Sequence, residues 1–390
     1  MKILVLGAGM MGRAIAFDLY NYSNFDEIVI ADKVKQNLGS AKKFLKVNEI
    51  KYLRLDVEKT KNLKKHFREF NIVISALPYK YNYTLAKIAV DTKTHFIDLG
   101  GNNDIVKKEL GLFKKAKNNG VIIIPDCGLA PGLTSVITKD IVEQMDHVDY
   151  VKLRVGGLPQ NRIPPLNYQI VFSPYGLINE YVEDAVILDH GKILKKKSMT
   201  ELETINFPKP FGELEAFITS GGCSTLPYTF KNNINYLDYK TIRYKGHCEK
   251  FKILLDMGLA DNEKIEIGKQ FVIPKDFFSA ILMKNLNFNQ KDVVLLKVFS
   301  EGEKDFKKIK IEYSMIDYYD EKNNITSMMR TTGYPVSITA QMIEQGIIKE
   351  NGVFCSEKII PCKLFFDELK KRNIIIKKHV EWDLIMLLEK

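Results

Sequence analysis

A short apolar strand, three glycines and an acid constrain this chain more than anything else in it: Lys2-Ile-Leu-Val-Leu-Gly7-Ala-Gly9-Met10-Met11-Gly12, with Asp32 twenty residues beyond Gly12. Each part has its own physical task. Ile3 to Leu6 reads as a buried parallel strand. Gly7 permits the tight turn, Gly9 lets the backbone approach a pyrophosphate, and Gly12 lets the next helix pack on the strand, with Met10 and Met11 in the variable positions. That helix, read from Met10 to Tyr20, points its first N–H groups at phosphate. Asp32 ends a second apolar run, Glu27-Ile-Val-Ile-Ala, where a carboxylate accepts hydrogen bonds from a ribose. The set in this order is a dinucleotide site. The Asp32 carboxylate repels a 2′-phosphate, so NAD is the expected cofactor over NADP. Lys33 and Lys35 read as solvated lysines rather than phosphate ligands.

The 390 residues leave room for two domains, and 45% hydrophobic with 27% charged residues is ordinary for a globular chain. No apolar run is long enough to span a bilayer, and the chain starts directly in a strand without a secretory leader, so a cytoplasmic location is expected. The net charge of +10 is spread thinly, as at Lys107-Lys108, Lys114-Lys115 and Lys370-Lys371, with Lys195-Lys-Lys the densest run. A nucleic-acid partner calls for concentration on one element and is not expected. The five cysteines contain no CxxC pair and the six histidines no HExxH spacing, so neither a disulfide framework nor a metal is expected.

Strands and helices alternate over the first 125 or so residues: further strands are read at Lys51 to Leu55, Asn71 to Ser75, His95 to Asp98 and Val121 to Pro125. Six strands predict the full α/β Rossmann domain, a doubly wound parallel sheet, over 1–128. Residues 129–335 read as a second, α+β domain with a mixed or antiparallel sheet. Its strands are expected at Tyr150 to Val155 and Tyr168 to Phe172, with a long hairpin of Val293 to Ser300 and Lys308 to Met315 joined through Glu301-Gly302-Glu303. Thr332-Gly-Tyr-Pro335 is expected to introduce a helix from Val336 to Gln345, and 336–390 to return to the first domain.

Ligands of open α/β sheets gather at the carboxyl ends of the strands. There the chain offers Ser75-Ala76-Leu77-Pro78-Tyr79, with Ala76, Leu77 and Pro78 on the cofactor side, then Asp98-Leu-Gly100-Gly101-Asn102 and Pro125-Asp126-Cys127-Gly128-Leu-Ala130-Pro131-Gly132. The second domain adds Thr241-Ile-Arg243-Tyr244-Lys245-Gly246-His247. Together with Arg330-Thr-Thr-Gly-Tyr-Pro335, these stretches resemble the saccharopine dehydrogenase-like family, most closely its lysine 6-dehydrogenase branch. The resemblance runs in order over most of the chain and implies a Rossmann domain, an inserted substrate domain and a C-terminal return. Saccharopine-cleaving relatives carry an acid where Ala130 stands, which favours a simpler amine substrate.

The chemistry this implies is NAD-dependent oxidative deamination of the side-chain amine of L-lysine to 2-aminoadipate 6-semialdehyde, which cyclises, and ammonia. Such a reaction needs a base, because an ammonium cannot release hydride before it loses a proton. Asp98 and Asp126 are candidates for base or amine ligand, against a plain role in capping. His247 is the candidate proton carrier and Arg243 the bidentate grip on the α-carboxylate. Tyr79 is placed against nicotinamide or substrate; Thr332 and Tyr334 are pocket wall by resemblance alone. Cys127, with nothing nearby to lower its pKa, reads as buried and inert. Two alternatives stand beside this: a saccharopine-type oxidoreductase, with Arg154, Arg162 and Arg330 as additional carboxylate ligands, and a non-catalytic NAD-binding protein. A homo-oligomer, a dimer, is expected, with the long hairpin as interface.

Overall fold

The N-terminal apolar run forms β1 (Lys2–Leu6), whose Ile3, Leu4 and Val5 are wholly buried. Covered on both faces, such a strand carries no polar alternation. In the computed structural model, which describes residues 1–287 and 290–382, it starts a regular βα series. The series continues through α1 (Met10–Tyr22), β2 (Glu27–Asp32), α2 (Lys35–Leu45), β3 (Lys51–Arg54), α3 (Thr60–Phe67), β4 (Ile72–Ser75) and α4 (Asn82–Thr92). It closes with β5 (His95–Asp98), α5 (Asn103–Leu110), α6 (Phe113–Asn118), β6 (Ile122–Ile124) and α7 (Leu133–Val142). The sheet order is β6-β5-β4-β1-β2-β3 with every neighbour parallel, the doubly wound arrangement, and Gly352–Val353 adds a seventh parallel strand beside β6. Chain order reverses between β1 and β4, which opens the crevice where such sheets bind ligand.

Two units make up the chain: Met1–Asp140 with Met329–Ile374, and Ile141–Met328 with the residues from Ile375 onward. The first unit thus draws its second stretch from the helix Ser327–Glu344, which starts well before the expected Val336 and carries Pro335 in its interior. Proline has no N–H to give, but packing outweighs that loss. Gly333, two residues earlier, lies so close to α1 that a Cβ there would meet the Ala14 methyl at 3.0 Å.

The second unit is built on a mixed sheet. Its long strand β7 (His147–Pro159) lies parallel to Ile234–Arg243 on one side and antiparallel to Asp292–Lys304 on the other. Residues 203–207 and 212–218 extend one end, and 307–318 and 377–382 the other. Tyr168 to Phe172, read as a strand, is irregular chain before α8 (Pro174–Val182). Tyr168, Ile170 and Phe172, spaced as in a strand, instead pack into the cluster of Leu177, Tyr181, Phe217 and Phe251. The hairpin turns at Asp305-Phe306, both with positive φ of 49° and 61°, and not at Glu301-Gly302-Glu303, which stay paired within the hairpin while a bulge interrupts their pairing with β7. Asp292–Lys304 is paired on both sides, and Ile309–Ser314 of the outer strand is paired with Lys377–Trp382. The strand Lys377–Trp382 belongs to the second unit, in place of a return of the whole of 336–390 to the first.

Candidate functional site

Helix α1 begins at Gly9 with no side-chain cap and no acid in its first turn, so its leading N–H groups are not engaged by a capping side chain. The close approach that this loop needs is literal. A Cβ on Gly12 would stand 1.7 Å from the Gly7 carbonyl oxygen, and one on Gly7 (φ +102°) would meet the Ala76 oxygen at 2.8 Å. Asp32 closes the end of β2: Oδ2 accepts from the Ala8 N–H (2.9 Å) and the Asn37 amide (3.2 Å), Oδ1 from the Val34 N–H (2.8 Å). A cavity lined by Gly7, Asp32, Val34, Leu77, Pro78 and Tyr81 opens beside it. This is the shape an adenosine ribose requires, with a carboxylate at one edge and apolar walls. Met10, by contrast, is 40% exposed and adds only a backbone N–H to the loop.

At the ends of β5 and β6 the chain gathers carboxyls. Asp98, with no exposed surface, accepts from the Gly100 N–H at 2.6 Å, and its carbonyl accepts from the Cys127 N–H at 2.8 Å. Asp126 takes the left-handed φ of 58°, rare for a residue with a side chain, and its carbonyl accepts from the Ser356 hydroxyl. Gly100 (φ +72°) is obligatory between them, because a Cβ there would fall 1.6 Å from Asp126 Oδ1. Gly101 stands against the Tyr79 ring in the same way, at 3.3 Å, which brings Tyr79 to this loop.

A third acid, unforeseen in the sequence, completes the group. Glu109 projects from the buried face of α5, three residues after Val106, and has no exposed surface. Neither of its oxygens meets an N–H or O–H donor, and the same holds for Asp98 Oδ2. The two carboxyls face each other and hydrogen-bond only if one holds a proton. Burial, then the charges of Asp98 and Asp126, drive Glu109 far above the usual carboxylic range; burial raises Asp98 as well. The cue was there: an acid on the i, i+3 apolar register of a helix. Among the described residues no group of His, Cys, Asp and Glu is arranged to hold a metal.

The other expected residues of the first unit are less prominent. Thr332 stands next to Gly128, where a Cβ would touch its methyl at 3.4 Å; Tyr334 is buried with the Arg330 guanidinium 5.7 Å from its ring centroid. Cys127 is sealed, donates to Thr339 Oγ1, and burial pushes its thiol up to about 12.

Arg243 and His247 lie in the second unit, at the end of the strand Ile234–Arg243 and the start of the helix His247–Asp256. The expected proton carrier is sealed. His247 is 1% exposed, set among Tyr168, Phe217 and Phe251, and burial followed by the Arg243 charge pushes it down to about 3. Its Nδ1 lies 2.9 Å from the Leu166 carbonyl, which only accepts, so Nδ1 carries the hydrogen. Nε2 then accepts from Tyr181 Oη at 3.1 Å, while that oxygen accepts from Arg243 Nε at 2.8 Å. A single chain of bonds therefore runs from Arg243 through Tyr181 and His247 to Leu166.

The guanidinium at the head of that chain is 3% exposed, lies 4.6 Å from the Tyr168 ring centroid, and gives Nη1 to the Ile242 carbonyl. No carboxylate of the described residues forms an ion pair with it. The contrast with the other expected cations is sharp. Arg154 is taken up by Asp238 (2.7 Å) and Glu203. Arg330 donates to the carbonyls of Arg372 and Asn373, and Arg162 lies against the Tyr244 ring.

Two family models cover the chain, the saccharopine dehydrogenase NADP binding domain over residues 3–124 and the saccharopine dehydrogenase C-terminal domain over 128–375. The chain belongs to the saccharopine dehydrogenase family. It is 24% identical over 277 residues to the alpha-aminoadipic semialdehyde synthase of Rattus norvegicus, covering 67% of this chain and 29% of that protein. It is also 24% identical over 306 residues to the NADP(+), L-glutamate-forming saccharopine dehydrogenase of Pyricularia oryzae, covering 75% of this chain and 65% of the other. The chain thus spans less than two thirds of either relative's length. In the apo structure of the L-Glu-forming saccharopine dehydrogenase from Saccharomyces cerevisiae the same fold recurs, with TM-score 0.79 at 20% identity over 97% of this chain and 99% of that one. Residues 3–124, within the first unit, are accordingly the nucleotide-binding part of a saccharopine dehydrogenase-family protein.

Proposed function

We propose that the protein is an NAD-dependent oxidoreductase that deaminates the side-chain amine of L-lysine, releasing ammonia and 2-aminoadipate 6-semialdehyde. One observation carries the amino-acid reading: a guanidinium buried without a carboxylate partner, which the α-carboxylate of a substrate would complete. Family membership supports the oxidoreductase class. NAD is favoured because the Asp32 carboxylate sits at the ribose edge, bonded to the glycine loop, where a 2′-phosphate would be repelled.

A bound nicotinamide would supply the hydride acceptor. The chain's own residues supply the rest. Asp126 is our candidate base for the substrate ammonium, since Asp98 and Glu109 are occupied with one proton between them. The same carboxyls return protons when water adds to carbon and ammonia departs. Tyr181 and His247 act by position: neutral and bonded at both nitrogens, His247 fixes the Tyr181 hydroxyl, and Tyr181 fixes Arg243.

The second reading, an enzyme that joins or splits an amino acid and a keto acid, is favoured by what the relatives are. It asks for more carboxylate ligands, and Arg154 is already committed to Asp238 and Glu203. Reduction of NAD, followed by nicotinamide absorbance at alkaline pH with L-lysine and then with saccharopine, separates the two. A protein that binds NAD but reduces it with neither would sink both.

A further inference from the structure

We propose that Glu58 is a second determinant of cofactor choice beside Asp32: it holds Lys33 at the mouth of the ribose cavity, away from the place where a 2′-phosphate would need that cation. This rests on the reading of the site as one for NAD. It names a residue outside the glycine fingerprint that discriminates against the phosphorylated cofactor.

The cavity beside Asp32 is also lined by Lys33, Leu55, Val57 and Lys80. A 2′-phosphate on a ribose read by Asp32 lies against the residues next to that acid, and a nearby cation is what accommodates it. Lys33 follows Asp32 directly and so stands where such a ligand belongs. Its ammonium lies 3.6 Å from Glu58 Oε1, with both side chains half exposed. Other cations around the ribose edge are turned to protein partners as well. Arg13 Nε gives to the Ala8 carbonyl at 3.0 Å and Arg54 Nε to the Lys33 carbonyl at 3.3 Å, while the Lys80 ammonium stands 4.9 Å from the Tyr81 ring centroid.

The fold fixes Glu58 from both sides. The Leu55 N–H gives to the Asp32 carbonyl at 3.1 Å, which fastens the chain after β3 to the end of β2. Asp56 Oδ1 then accepts from the Glu58 N–H at 3.1 Å and shapes the turn. From the turn after β4, the Tyr81 hydroxyl donates to Glu58 Oε1. One carboxylate oxygen therefore serves Tyr81 and Lys33 together, two cavity-lining residues from two different loops. The Tyr81 bond first and the Lys33 charge next hold the Glu58 carboxyl below its usual range, so it is an anion at neutral pH. An exposed pair of this kind adds little to stability. Its effect lies in what it denies a competing ligand. NAD asks nothing of Lys33, whereas NADP would have to take Lys33 from Glu58 and leave that anion unpaired beside the phosphate.

Fluorescence titration of the full chain with NADH and with NADPH tests this through the ratio of the two Kd values, independently of turnover. E58Q removes the charge and keeps an amide oxygen for the Tyr81 hydroxyl. It is expected to lower the Kd for NADPH roughly 5-fold, the upper end for one exposed charge contact, and to leave the Kd for NADH nearly unchanged. K33M lacks the released cation, so the double variant E58Q/K33M is expected to lose that gain, and in E58Q the gain shrinks as salt is raised. An unmoved ratio in E58Q, or a gain of the same size in the K33M background, overturns the role of Glu58 and leaves the NAD reading standing. A natural chain that binds NADPH as tightly as NADH, or binds neither, overturns both. If E58Q does not fold, Y81F, which frees Glu58 from its clasp, is read instead and has to shift the ratio the same way; an unmoved ratio there overturns the proposal.

Discussion

Burial beside two other carboxyls alters the titration of Glu109. Its pKa is raised in the folded chain by burial and by Asp98 and Asp126, so the folded state holds a proton that the unfolded state would release. The sign follows. That stability is fully present below the ordinary carboxyl value and is lost as pH climbs toward the raised one, at up to about 1.4 kcal/mol per pH unit. A Gln at this position offers Asp98 a permanent donor in place of the shared proton. E109Q is therefore expected to flatten the fall in unfolding temperature between about pH 5 and about pH 8; an unchanged slope would show that the proton sits elsewhere. Asp32 makes the other prediction at this scale. Removing its carboxylate in D32A takes an anchor from the glycine loop and a ligand from the ribose. The Kd for NAD should rise roughly tenfold or more, while NADP, freed of repulsion, gains relative to it; fluorescence titration with both reduced cofactors reads the ratio.

At the scale of elements, the loop after β5 shows why glycine cannot be replaced there. Gly100 has a positive φ and its missing Cβ makes room for Asp126 Oδ1. G100A should push Asp126 off its position and cost about 100-fold in kcat, the usual penalty for an ångström of misplacement, with NAD affinity nearly unchanged. A matching loss of NAD binding would mean that the loop serves the cofactor instead. This loop, like the fingerprint, was legible because its signals are local: apolar runs of strand length, glycines at fixed offsets, acids at strand ends. What escaped reading depends on partners far away in sequence. Lys377–Trp382 is exposed along its length, opens on two lysines and alternates apolar residues only at Val380 and Trp382, too short a pattern to mark a strand before Ile309–Ser314 offers it an edge. The Asp305-Phe306 turn has no glycine to announce it. Arg243 stands out through its motif, whereas the Tyr168 and Tyr181 rings around its guanidinium come from chain far away in sequence.

For the whole molecule, the decisive fact is that the unit containing the nucleotide-binding stretch is not contiguous: Met1–Asp140 is completed by Met329–Ile374. The two stretches are joined by an ion pair with no exposure at either side chain. Arg372 Nε gives Asp18 Oδ1 a bond of 2.6 Å, while Glu368 and Gln341 engage the remaining nitrogens and Gln341 also donates to Asp18 Oδ2. Asp18 lies on α1, the helix whose other end carries the fingerprint, so this pair secures the back of the element that would face the cofactor. Replacing Arg372 by Met keeps much of the volume and leaves Asp18 charged, buried and short of a partner. A loss of about 3–5 kcal/mol follows from that orphaned charge rather than from the intrinsic worth of the pair. The double change D18N/R372M, which removes both charges, should recover much of it, because well-matched neutral groups replace a buried ion pair at little cost. Denaturant unfolding of the three chains, followed by NADH fluorescence so that the nucleotide-binding unit is observed directly, gives the comparison. If the double variant is no more stable than R372M, the pair is not what ties the C-terminal stretch to α1, and apolar contacts such as Gly333 on Ala14 carry the join instead.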